Sequence, residues 1–349
     1  MSDPLLFRGR RAAAIENGDL RVTVLEGGGH IAEVLHKASG ISPLWIPPWP
    51  SIEPDDYVAS SDTTYGAGVE SKLLAGIMGH NLCLDIFGGP SDEEFAAGLQ
   101  PHGEASIATY RVTPAGTAIQ MTATLSESQL LVERHIQLHG DTVHVREAVE
   151  NLAATDRPVA WTQHVTLGPP FLENGTTEFR ASATRSKVLE TTFGSADYLV
   201  PGAIFDWPDA PCTDGATEDL RTYSSRQKSG AYTAHLMDPG ERDACFAAYS
   251  PRHRLLFGYV WKQKDFPWMG IWEENRSRPH PPWNGRTVTR GMEFGVSPFP
   301  ESRRAMIERG RLFDVPGFRW IPARTRIDVE YWIVCRAADR IPDRLNRPA

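Results

Sequence analysis

Apolar and polar side chains alternate with a period of two along most of this chain, which restricts it to strands. Leu20, Val22 and Val24 alternate with Arg21 and Thr23. Ile119, Met121 and Ala123 alternate with Ala118, Gln120 and Thr122. Val143 and Val145 alternate with His144 and Arg146, and Ile327, Val329 and Tyr331 with Arg326, Asp328 and Glu330. A half-buried strand sends successive side chains to opposite faces, so this is its signature. Turn signals fall between the runs at Asn17-Gly18, Pro114-Ala115-Gly116, His139-Gly140-Asp141 and Asn174-Gly175. Residues 131–137 and 142–151, joined by such a turn, read as a hairpin. Helices are expected in only two places. One is 91–97, where Ser91 and Glu94 form a capping box, and the other is 301–309.

Strands spread over the whole length, with Pro- and Gly-rich loops between them, predict an all-β fold: a large antiparallel β-sandwich or barrel with few short helices. No linker, charge block or repeat divides residues 1–349, so one domain is expected. The stretches 42–74 and 198–229 have no clear period and are too long for plain connections. They are expected to pack over the sheets or to line a site.

Charge and cysteine usage exclude several functions. A net charge of −8 gives no footing for nucleic acid or an anionic membrane. Cys83, Cys212, Cys245 and Cys335 form no CxxC pair, so zinc-ribbon and redox motifs are excluded. Met1-Ser2-Asp3-Pro4 opens no signal peptide, no run reaches a membrane span, and a cytoplasmic location is expected. Gly27-Gly28-Gly29 lacks the strand and helix context of a dinucleotide loop, and no P-loop or GxSxG is present.

Three groups are the candidates for chemistry. Glu293 lies in Gly291-Met292-Glu293-Phe294-Gly295, a strand expected to enter a core and to end at Pro298-Phe299-Pro300. Desolvation raises a carboxylate's proton affinity toward values useful for proton transfer, which suits a general base. The competing role for Glu293 is a structural ion pair with Arg286 or Arg290. His102 follows Pro101 and precedes Gly103-Glu104, a turn that lets a ligand come close to the backbone. His164, in Trp161-Thr162-Gln163-His164-Val165-Thr166, shares a strand face with Thr162 and Thr166. The loop tryptophans suit stacking on sugar rings as well as edge sealing. Phe266 to Arg276 is the richest cluster, combining Trp268 and Trp272 with Glu273 and Arg276. Glu104, Trp161, Gln163, Trp272, Glu273 and Arg276 are therefore the expected substrate-binding residues. His135, His139 and His144 crowd one hairpin, but helical spacing on a strand argues against a metal site.

These patterns taken together resemble the aldose 1-epimerase (galactose mutarotase) superfamily. The residues that carry the resemblance are His102-Gly103, then His164 with Gly168-Pro169-Pro170-Phe171, then Glu293 with Phe299-Pro300. Their order and spacing match over nearly the whole chain. The resemblance implies a supersandwich of β-sheets with the site on a concave face, and chemistry without metal or organic cofactor. It implies that Glu293 takes the proton of the anomeric hydroxyl, His164 protonates the ring oxygen and His102 positions the sugar. The family's substrate arginine, upstream of the first histidine, has no counterpart between Tyr65 and Gln100. Asp206 and Asp238 are the candidates for its orienting aspartate.

The partner so implied is a monosaccharide or short saccharide, with no nucleic acid and no membrane; the oligomeric state is left open. Two other functions remain on the same scaffold. One is a carbohydrate-binding or sensing protein without turnover. The other is a lyase or isomerase of an oxidised sugar, with Arg146, Arg276 or Arg290 clamping the carboxylate.

Overall fold

Two antiparallel sheets carry the fold in a computed structural model that describes residues 5–348. The Met1 to Pro4 stretch, from which the lack of a signal peptide was read, lies outside the described residues. The longer sheet has twelve strands. Its path runs Leu5–Phe7, Arg10–Glu16, Leu20–Leu25, Ile31–His36, His80–Asp85 and Arg157–Leu167, then Val288–Gly295, Trp268–Asn275, Ser229–Met237, Ala183–Val188 and Ile204–Asp206. Arg319–Ile321 pairs onto the start of Arg157–Leu167. The shorter sheet has eight strands, in the order Glu178–Ala181, Asp243–Ser250, Leu255–Lys262, Arg326–Ala337, Thr142–Asn151, Leu130–His139, Ala118–Leu125 and Arg111–Ala115. The predicted hairpin is present, with Leu130 paired to Asn151 and His139 to Thr142. Among the described residues no helix is long and apolar enough to cross a membrane.

The alternation explains where the core sits. Trp161, Val165, Met292 and Phe294 point from the long sheet into the space between the sheets, where they meet Tyr259, Trp261 and Tyr331. Trp261 stacks on Phe294 with ring centroids 4.2 Å apart. A polar network crosses this core. Arg134 and Glu147 form a fully buried ion pair, 2.6 Å apart. Glu147 also accepts hydrogen bonds from Trp161 Nε1 at 2.6 Å and Gln163 Nε2 at 2.7 Å. Each buried charge and amide in the set is thereby partnered, as a low-dielectric interior requires.

The opposite face of the long sheet is also covered. A second apolar cluster built on Trp45, Trp49, Leu73, Leu74, Trp272 and Trp283 packs there. Part of its cover comes from the stretch 42–74, which runs into a helix the sequence did not reveal, Ser71–Gly76. It has six residues and no side-chain cap, so it carries none of the signals by which a helix is read. The two expected helices are present as Asp92–Ala96, with its Ser91/Glu94 capping box, and Arg303–Arg309, where Ser302 Oγ accepts Ala305 N–H at 3.2 Å. The stretch 198–229 forms short strands and a small cluster around Tyr198, Leu199, Phe205 and Leu220.

Candidate active site

Strand register alone brings the two central side chains together. Arg157–Leu167 and Val288–Gly295 are neighbours, with Thr162 paired to Gly295 and Thr166 to Gly291. That register puts His164 beside Glu293 on the face turned away from the sandwich core. The His164 Nε2 and Glu293 Oε1 atoms are 3.0 Å apart, and both residues are buried. The Thr166 hydroxyl lies 3.1 Å from His164 Nδ1 and holds the ring's other edge. Glu293 Oε1 receives no well-directed hydrogen bond, so it retains an open acceptor site. Arg290 does not neutralise it. It faces the core, bonds the carbonyls of Leu220 and Thr222, and lies 4.3 Å over the Phe179 ring.

His102 reaches the same place from a loop. Its φ is +62°, a left-handed conformation uncommon outside glycine that histidine adopts more readily than most residues. The backbone is clasped to hold it, with His102 N–H on Gly88 O at 3.1 Å and Leu84 N–H on His102 O at 3.2 Å. Gly103 follows at φ +75°, where a Cβ would sit 1.9 Å from Leu84 O, so only glycine fits. The His102 and His164 rings are 4.8 Å apart between centroids. Burial pushes the His102 imidazole well below its ordinary pKa, with the neighbouring His164 acting in the same direction. Its Nδ1 has no partner.

All three groups line one cavity of about 130 Å³. That is close to the volume class known to enclose a single six-membered ring. Trp272 forms part of the wall, with its ring 6.1 Å from His164.

Five of the expected substrate-binding residues lie elsewhere, four of them for reasons of strand parity or loop packing. Trp161 and Gln163 occupy the opposite face of the His164 strand, and their polar atoms are used by Glu147. Glu273 is paired in register with Arg290 on the inner face of its strand and receives the Ser229 hydroxyl. Glu104 ties its loop to the next hairpin by accepting Glu127 N–H at 3.1 Å and Ser128 N–H at 2.7 Å. Arg276 leaves the strand at φ +55° and is exposed, with its guanidinium on Asn275 Oδ1 at 3.2 Å. Asp206 is an exposed edge-strand residue, and Asp238 closes a turn on Gly240 N–H. Neither lines the cavity. Arg146 lines a separate hollow of about 460 Å³ on the shorter sheet, where Lys262 and Glu330 are paired at 2.7 Å.

Trp283, one of the loop tryptophans suited to sugar stacking, lines the cavity, as do Leu73 and Leu74 from the end of the stretch 42–74; Arg278 and the helical form of Ser71–Gly76 are not among the sequence expectations. The Arg278 guanidinium lies 4.7 Å over Trp283 and 5.6 Å over Trp272, while its Nε is 3.4 Å from Glu274 Oε2. Only Arg278's position, two residues past Arg276 in an aromatic and acidic cluster, hinted at it.

No family model matches this chain, and no curated protein does. Solved structures match it over nearly its full length. One from Klebsiella pneumoniae, named as a candidate aldose 1-epimerase, is 13% identical and covers 95% of this chain and 80% of its own, with a TM-score of 0.67. A candidate aldose 1-epimerase of Escherichia coli is 12% identical, with 94% and 100% covered and a TM-score of 0.62. A galactose mutarotase-like protein of Lactobacillus casei is 14% identical, with 93% and 100% covered and a TM-score of 0.56. The chain has the all-β sandwich fold of the galactose mutarotase-like proteins.

Proposed function

We propose that this protein is an aldose 1-epimerase, interconverting the anomers of a free monosaccharide by acid–base opening of its ring. The observation that carries this reading is the Glu293–His164 contact at 3.0 Å, in a cavity also lined by His102 and sized for one ring. Glu293 takes the proton from the anomeric hydroxyl as the C1–O1 bond gains carbonyl character. The bond from C1 to the ring oxygen breaks, and that oxygen receives a proton from His164. Rotation about C1–C2 presents the other carbonyl face, and the same transfers in reverse close the ring.

The pair holds one proton at the start, on His164, and one after opening, on Glu293. No proton is exchanged with solvent, and no net charge changes in the buried site. Base and acid in direct reach of adjacent atoms is the arrangement such a reaction requires. His102, kept neutral by burial, donates or accepts a hydrogen bond to a neighbouring hydroxyl without bringing charge.

Anomer exchange followed by polarimetry or NMR over a panel of aldoses tests the reading. Glu293→Gln should lower the catalysed rate by about 100- to 10,000-fold. Equal rates for the protein, this variant and buffer alone across the panel would refute it and leave a sugar-binding role without turnover.

A further inference from the structure

We infer that the preferred substrate is a 6-deoxyhexose, whose methyl group lies against an aliphatic wall of the cavity. The inference rests on the epimerase reading and deepens it. The wall is one face of the helix Ser71–Gly76 and its flanks. Leu73 and Leu74 line the cavity from the helix, and Ile77, the extended residue that caps its end, lines it beside them. Phe87 continues the surface.

The side chains of Leu73, Leu74, Ile77 and Phe87 offer nothing to a hydroxyl. The Leu73 carbonyl accepts Ile77 N–H at 2.8 Å, and the Leu74 carbonyl accepts Trp49 Nε1 at 2.8 Å. The Leu74 N–H is spent on Glu70 O at 2.9 Å. Glu70, just before the helix, also lines the cavity but is exposed, so its carboxylate stays solvated.

Unused polar capacity lies elsewhere in the cavity. Glu293 Oε1, beside His164 alone, keeps an open acceptor site, His102 Nδ1 and Trp283 Nε1 are buried without hydrogen-bond partners, and Arg278 stands beside Trp283. Those groups can serve the anomeric centre, the ring oxygen and the ring hydroxyls. A primary hydroxyl pressed on the leucine and isoleucine side chains would stay unpaired, whereas a methyl group there buries apolar surface. An apolar pocket rejects an added hydroxyl by about 100-fold at most, so the expected preference is about 10- to 100-fold.

The test compares matched pairs with the full-length protein: 6-deoxygalactose with galactose, and rhamnose with mannose of the same hand. Exchange should be faster for the deoxy member by about 10- to 100-fold in kcat/KM. Ile77→Thr, which keeps the branched shape and adds a hydroxyl to the wall, should shrink that ratio. Parent hexoses handled as well as or better than their deoxy partners would overturn the inference and leave the epimerase reading standing. Should no sugar be turned over, the epimerase reading falls. Binding measured through quenching of the Trp272 and Trp283 fluorescence then still decides the deoxy preference. Equal or weaker binding of the deoxy sugars removes it.

Discussion

Gly291 shows how finely the proposed base is set. A Cβ at this position would lie 2.3 Å from Glu293 Oε1 and 3.2 Å from the Trp272 Cβ. Gly291→Ala must therefore push the carboxylate or the indole aside. A displacement of about 1 Å at a reacting group costs on the order of 100-fold in rate. Anomer exchange in this variant is expected to fall by that factor, while urea unfolding shows a loss of only about 1–3 kcal/mol from overpacking. A full rate with a shifted carboxylate would separate Glu293 from the chemistry. His102 is held in a similar way, by a left-handed backbone, two clasping backbone hydrogen bonds and the close approach of Gly103 to Leu84 O. Its sequence context of proline before and glycine after already pointed to a constrained turn.

Strand parity decides most of what happens at the scale of elements. His164 and Gln163 are adjacent in the chain, yet one faces the cavity and the other the buried Arg134–Glu147 pair. The alternation that put His164 with Thr162 and Thr166 also puts Trp161 and Gln163 on the far side. Their assignment to the substrate therefore conflicted with the period itself. Arg134→Met tests the pair behind the site. It leaves Glu147 charged and buried, with only Trp161 and Gln163 as donors. Breaking such a pair from one side costs about 3–5 kcal/mol. The midpoint of urea unfolding should fall accordingly, and the Arg134→Met/Glu147→Leu double variant should recover part of the loss. The helix Ser71–Gly76 illustrates the opposite case. It is too short and uncapped to be read locally and is held by packing under Trp49 and Trp283.

The whole molecule carries a set of histidines that folding keeps neutral. Burial lowers His30 and His235 to about 3 and moves His80 well below its ordinary value. An unfolded histidine titrates near 6.5, so below that pH the unfolded chain binds protons that the folded chain refuses. These groups contribute full stability above pH 6.5 and lose it as the pH falls, at about 1.4 kcal/mol per unit for each. Asp197, Asp265 and Glu273, raised by burial, act in the opposite sense. A difference between variants isolates the histidine effect. His235→Gln should flatten the decline in unfolding free energy between pH 6.5 and 4 by about 1.4 kcal/mol per unit, measured by urea titration at several pH values. Parallel curves would mean that His235 is not held neutral.

By itself the sequence determined the alternating strands, one hairpin, two short helices and the three groups that meet in the cavity. Period, turn chemistry and capping are local, and each is written within a few residues. Register and long-range packing decided the rest. The face that Glu273 and Gln163 present depends on which strand lies alongside and which side is covered. Arg278, Trp283 and the leucines at 73 and 74 reach the cavity only because the segments bearing them fold back over the long sheet. Contacts between residues some two hundred positions apart leave no local period to read.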